Sequence, residues 1–113
     1  MDPKDKVALV TGAGKRVGRS LAIALGDTGA RIAIHYRNSQ KDAIKTAEII
    51  NSMGSEAVCF QADLEDTKQV KALASDIQKQ LGPINILVNN ASVFDKISMQ
   101  ALVEHVWDRH FAI

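Results

Sequence analysis

The stretch Val7-Ala8-Leu9-Val10-Thr11-Gly12-Ala13-Gly14-Lys15-Arg16-Val17-Gly18 decides the fold. Its first five residues are apolar or β-branched on consecutive positions, as in a strand covered on both faces. The next seven hold three glycines, and a helical pattern continues to Gly29. Strand, glycine turn and helix together present free backbone N–H groups and a positive dipole end to a phosphate. Nucleotide binding is therefore the first expectation.

The glycine spacing narrows it. A G-x-G-x-x-G turn needs glycine at position 17, which is Val17, and a P-loop needs one at position 9, which is Leu9. What fits is T-G-x-x-x-G-x-G, with Thr11, Gly12 and Gly18 in place and Arg16 standing for the middle glycine.

Outward from this turn, short apolar runs alternate with longer amphipathic ones. Strands are predicted at Val7–Thr11, Arg31–Tyr36, Ala57–Gln61 and Ile84–Asn89. Helices are predicted at 17–28, 40–53, 67–81 and 99–112. In the third helix Val70, Leu73, Ala74, Ile77 and Leu81 share one face. Gly29, Gly54 and Gly82-Pro83 follow the first three helices as stops, while Ser39 with Asp42 and Asp66 with Gln69 read as starts. The order βαβαβαβα predicts a Rossmann-type, doubly wound parallel α/β sheet with strand order 3-2-1-4. The fourth helix runs to the last residue without a cap. Residues 1–113 thus read as the N-terminal part of a single dinucleotide-binding domain, with the fourth strand expected to leave an open edge.

Composition sets bounds. The chain has 113 residues, a formal charge of +1 and 46% hydrophobic residues, an ordinary globular balance. Nothing points to a nucleic-acid or membrane surface. No apolar run approaches the ~20 residues of a membrane span. Residues 1–6 are polar, without an apolar signal region behind them. The single cysteine, Cys59, lies in an apolar run and reads as a small core residue, which fits a reducing cytoplasm. His35, His105 and His110 show no metal spacing, so no metal site is expected.

Three more motifs stand at strand ends. The second strand closes with His35-Tyr36-Arg37-Asn38-Ser39 and no acid. NAD sites place a carboxylate there for the ribose 2′-hydroxyl, about 20 residues past the turn. A guanidinium instead pairs with a 2′-phosphate, and Asn38 and Ser39 can add hydrogen bonds. The bland reading is that Arg37 is a solvated loop charge. After the third strand comes Ala62-Asp63-Leu64, whose carboxylate either accepts from an adenine amino group or caps a turn. After the fourth comes Asn89-Asn90-Ala91-Ser92, where Asn89 can bridge strands and small Ala91 admits a ribose.

Four motifs at four successive strand ends resemble the short-chain dehydrogenase/reductase family, over its N-terminal half. The resemblance implies a pyrophosphate turn of Thr11, Gly12, Lys15, Arg16, Val17 and Gly18. It implies an adenosine and 2′-phosphate site of Tyr36, Arg37, Asn38 and Ser39 with Ala62, Asp63 and Leu64, and a ribose contact at Asn90, Ala91 and Ser92. Lys15-Arg16, His35-Tyr36, Asn38-Ser39, Ser92 and Phe94 are similar to the pteridine reductase branch, in which Arg16, Ser92 and Phe94 would touch the substrate. Phe94 packing under a loop is the bland alternative.

The resemblance further implies an NADP(H)-dependent reductase, acting on a carbonyl or C=N bond of a small molecule such as a pterin or dihydrofolate. It also implies a cytoplasmic homo-oligomer, a tetramer or dimer. A ketone or acyl-carrier reductase and a non-catalytic nucleotide-binding module are the alternatives. The family's serine and Tyr-x-x-x-Lys lie beyond residue 113, and Tyr36 is followed four positions on by Gln40. No catalytic residue is assigned, and this chain alone is expected to be inactive.

Overall fold

Alternation along the first strand sets the layers. In β1 (Val7–Thr11), Val7 and Leu9 face one side of a parallel sheet, and Ala8 and Val10 face the other. All four are fully buried, which is why the run is continuously apolar. The structure, a computed structural model, describes residues 2–14, 16–90 and 107–112, the last group as a strand.

The elements follow in the order β1, α1 (Arg16–Asp27), β2 (Arg31–Tyr36), α2 (Gln40–Ser52), β3 (Ala57–Gln61), α3 (Thr67–Gln80), β4 (Ile84–Asn89) and β5 (Trp107–Ala112). The sheet order is β3-β2-β1-β4-β5, and all four pairings are parallel. The predicted 3-2-1-4 order stands, with one strand added.

Two cores follow from the alternation. Ala8, Val10, Ile32 and Ile34 pack with Ala22 of α1 and Ala43, Ala47 and Ile50 of α2. Val7, Leu9, Ala33, Phe60, Ile84 and Leu87 pack with Val70, Leu73, Ala74 and Ile77 of α3. The sheet is thus covered by α1 and α2 on one face and by α3 on the other. Cys59 lies half-buried against the first core, as its apolar neighbours predict, and burial pushes its thiol pKa up.

The helix starts differ in how they are made. Asp66 caps α3, accepting from the Lys68 N–H at 3.0 Å. Gln69 does not close that box. Its Oε1 accepts from the Asp63 N–H at 2.8 Å, and so holds the preceding loop instead. The Ser39 side chain makes no capping bond to α2, and its carbonyl accepts from the Ala43 N–H at 3.0 Å.

The end of the chain corrects the sequence reading. The helix expected at 99–112 gives way over Trp107–Ala112 to a strand beside β4; residues 99–106 lie outside the described residues. The predicted open edge of β4 is therefore paired, with Trp107 opposite Ile84, Ala112 opposite Ile86 and an irregularity between them. An unpaired row of N–H and C=O groups along an apolar strand is a strong template for any nearby extended segment. Trp107 and Phe111 are residue types that suit a strand. Here sheet pairing outweighs a helical periodicity.

Candidate functional site: a crevice at the strand ends

β1, β2, β3 and β4 end on the same side of the sheet, so the loops that follow them line one crevice. Its floor is the turn after β1. Gly12 takes φ +63°, a left-handed conformation open to glycine at little steric cost. Gly18 is required by space. A Cβ there would run into the Gly12 carbonyl oxygen and come within 2.7 Å of Asn90 Nδ2. The first turn of α1 therefore lies directly on the turn's backbone.

Thr11 ties this floor to β4. Its hydroxyl donates to Asn89 Oδ1 at 3.0 Å and accepts from the Asn90 N–H at 2.9 Å. Asn90 Nδ2 donates to the Gly12 carbonyl at 3.2 Å. The strand bridge expected of Asn89 is present, and Asn90 holds the turn itself.

Arg16 takes φ +51° at the position where the turn pattern has its middle glycine. The turn keeps the left-handed conformation although the residue is not glycine. That costs about 1 kcal/mol for a residue with a Cβ. Its side chain and that of Val17 are exposed, Val17 by 63%. Lys15 lies outside the described residues, as do Ala91, Ser92 and Phe94.

Two residues that sequence reasoning did not assign hold the turn from behind. His35 is buried at the end of β2. Its Nδ1 accepts from the Gly12 N–H at 3.1 Å, and its Nε2–H donates to the Ala62 carbonyl at 2.8 Å. The ring thereby links the ends of three strands, in the neutral tautomer that both contacts require. Desolvation lowers its pKa, against a smaller opposing effect from the Ala62 bond. Arg19 is the second. It donates through Nε to Thr46 Oγ1 at 2.9 Å and through Nη2 to the Gly14 carbonyl at 2.9 Å and the Asp42 carbonyl at 3.1 Å. It braces the turn against the first turns of α2. The available signals were a histidine closing an apolar strand and an arginine directly after Gly18.

Two clefts continue the crevice across β2. One of about 290 Å3 is lined by Gly12, Gly14, Tyr36, Arg37, Asn38 and Ser39. The next, also about 290 Å3, is lined by Arg37, Asn38, Gln61, Ala62, Asp63 and Gln69. The structure thus brings together Gly12, Tyr36, Arg37, Asn38, Ser39 and Asp63, which the sequence had assigned to one ligand. Ala62 and Leu64 have their side chains in the core, so they can offer a ligand only backbone. Lys41 was not foreseen; it lines a third hollow with Asn38, Ser39 and Asp42 where α2 begins.

A glycine turn, a helix start and two clefts in a row, the second predominantly polar, suit an elongated anion with a planar base. The fold is that of a Rossmann-type α/β protein with its crevice at the strand ends. The chain belongs to the short chain dehydrogenase family, whose pattern matches residues 6–113. It is 35% identical over 103 residues to the 3-oxoacyl-acyl-carrier-protein reductase FabG of Staphylococcus aureus, covering 91% of this chain and 42% of that protein. A short chain dehydrogenase from Burkholderia cenocepacia J2315 in complex with NADP superposes with a TM-score of 0.82 at 27% identity, over 94% of this chain and 53% of the other. A Haemophilus influenza protein with bound NAD does so with a TM-score of 0.70 at 30% identity, over 74% and 30%. The chain spans about two fifths of the length of the curated relatives it matches. The similarity is to short chain dehydrogenases at large, and the pteridine reductase branch is not singled out.

Proposed function

We propose that this chain forms the nucleotide-binding half of an NADP(H)-dependent reductase. The observation that carries the proposal is Arg37 at the crevice end of β2, with Asn38 and Ser39 in the same cleft and no acid among the described residues that line it. Ser39 lines that cleft, and its side chain makes no capping bond to α2. Arg37 and Ser39 would hold the 2′-phosphate, Asp63 the adenine, and the turn from Gly12 to Gly18 the pyrophosphate. Asn90, Ala91 and Ser92 would lie at the ribose. Arg16 and Lys15 would add positive charge. When bound, the cofactor supplies the hydride, and the protein orients it.

The substrate would be a small molecule with a carbonyl or C=N bond. The relatives favour a ketone or acyl-carrier substrate, FabG being named for one. The pterin reading rests on Arg16, Ser92 and Phe94. It predicts that Phe94→Ala in the full-length protein weakens pterin binding by about 0.5–1.5 kcal/mol beyond lost area while NADPH binding holds. Proton transfer is assigned to no residue of this chain, so the chain alone is expected to turn over nothing. Among the described residues no helix is long and apolar enough to cross a membrane. We place the whole protein in the cytoplasm, as a homo-oligomer.

Calorimetric titration of the chain with NADP+ and NAD+ tests the proposal. NADP+ should bind more tightly by about tenfold or more, the worth of one charge-assisted contact. Equal affinities would remove the 2′-phosphate assignment, and no binding of either would remove the crevice.

A further inference from the structure

Arg37 and Asp63 are assigned above to different parts of one nucleotide, yet they hold each other. Arg37 Nη2 lies 3.3 Å from Asp63 Oδ2. The pair joins the loop after β2 to the loop after β3, and both residues line the same cleft with Gln61 and Gln69. The two ends are not equally fixed. The Asp63 carboxylate also accepts from the Glu65 N–H at 3.0 Å, and its own N–H is held by Gln69. The Arg37 side chain is 52% exposed against 28% for Asp63, and among the described residues its guanidinium has no partner but Asp63, while its carbonyl accepts from Gln61 Nε2 at 2.9 Å. The guanidinium is therefore the partner free to turn. Its planar fork matches a carboxylate or a phosphate alike. A 2′-phosphate that engaged the fork through Nη2 would compete with Asp63 for it.

We propose that Asp63 is a specificity-determining residue, whose carboxylate competes with the 2′-phosphate for Arg37 and so limits the preference for NADP(H) over NAD(H). The proposal rests on the crevice being a nicotinamide dinucleotide site. It makes Asp63 a restraint on the phosphorylated cofactor, separate from any contact it gives the adenine common to both cofactors.

Asp63→Asn separates the two roles. It keeps the shape and the bond from the Glu65 N–H and removes the charge that holds Arg37, and any change in a contact to the adenine, common to both cofactors, cancels in their affinity ratio. NADP+ and NAD+ are titrated by calorimetry against the wild type, Asp63→Asn, Arg37→Gln and the double variant. Thermal unfolding of each verifies the fold. Asp63→Asn should raise the NADP+ to NAD+ affinity ratio by about two- to fivefold, the worth of an exposed ion pair. In the Arg37→Gln background it should leave the ratio unchanged. A ratio that stays level or falls on Asp63→Asn overturns the proposal. An equal rise without Arg37 also overturns it, because the effect is then the general field of one carboxylate. Both results presuppose that the two cofactors bind. A wild type that binds neither overturns the crevice reading, and this proposal with it.

Discussion

The two sides of the crevice are built differently. On the β1–β4 side, Thr11, Gly12, Gly18 and Asn90 interlock through hydrogen bonds and a helix too close for a Cβ. On the β2–β3 side, Arg37, Asn38 and Gln61 are exposed, and one ion pair joins the loops. The first side leaves little room to vary, so it suits the part of a ligand that every family member shares. The second can change residue by residue without disturbing a strand, so it suits discrimination between related ligands. His35 lies between them, bonded to Gly12 on one side and to Ala62 on the other.

The largest effect should fall on the interlocked side. Gly18→Ala places a methyl group against the Gly12 carbonyl, with no flexible side-chain tip to yield. We expect a loss of about 3 kcal/mol, or roughly 10–20 °C in Tm, and loss of binding of both cofactors. Thermal unfolding and calorimetry would show it. A variant that keeps its Tm would mean that the turn is looser than its contacts indicate.

Arg37→Asp should do the reverse, leaving stability nearly unchanged and altering selectivity. Loss of the guanidinium removes about 1.5–3 kcal/mol of 2′-phosphate binding, and the new carboxylate repels that phosphate. NAD+ should then bind better than NADP+. If both affinities dropped together, Arg37 would belong with the shared side of the crevice.

His35 makes the junction pH-dependent. Its folded-state pKa is lowered, so the unfolded chain takes up the proton first. Its contribution to stability is full above the ordinary imidazole value of about 6.5 and declines as pH falls toward the lower folded value. Protonation of the folded protein also removes the acceptor for the Gly12 N–H, so NAD+ affinity should decline only at the low end of this window, as pH reaches the lowered folded value. NAD+ is the suitable probe because it carries no phosphate monoester titrating there. In His35→Asn the Oδ1 stands near the position of Nδ1 and does not titrate, so Tm and affinity should flatten between pH 8 and pH 5. A wild type no steeper than this variant would remove His35 from the account.

The smallest effect is expected at Arg16. Arg16→Gly relieves the left-handed strain and loosens the unfolded chain, for a net gain near 0.5 kcal/mol. It also removes a positive charge beside the turn, so NADP+ binding should weaken by a few-fold as the Tm rises slightly. A Tm that falls would show that the Arg16 side chain makes a stabilising contact that outweighs its backbone.

Most of this architecture was legible before folding. The continuous apolar runs marked strands buried on both faces, and β1 to β4 have the bounds that those runs predict. Thr11, Gly12 and Gly18 were legible because a close approach between backbones leaves glycine little alternative. Arg37 and Asp63 were legible as strand-end residues, but their pairing was not, because they are 26 positions apart and meet only when β2 lies beside β3. Arg19 looked like one more polar residue of a helix, and its work appears only when α2 packs against the turn.

The alternation of strands and helices, the crevice and the glycine turn were determined by the sequence itself, since each follows from local periodicity or backbone sterics. Tertiary structure alone decided that Trp107–Ala112 extends beside β4 in place of a helix, because the unpaired edge of a neighbouring strand is invisible to a local pattern. It alone decided that His35 is neutral and bonded at both nitrogens, because burial and partners come from β1 and β3 together. It also set the one left-handed arginine, since the path of the chain into α1 imposes a conformation that Arg16 does not prefer.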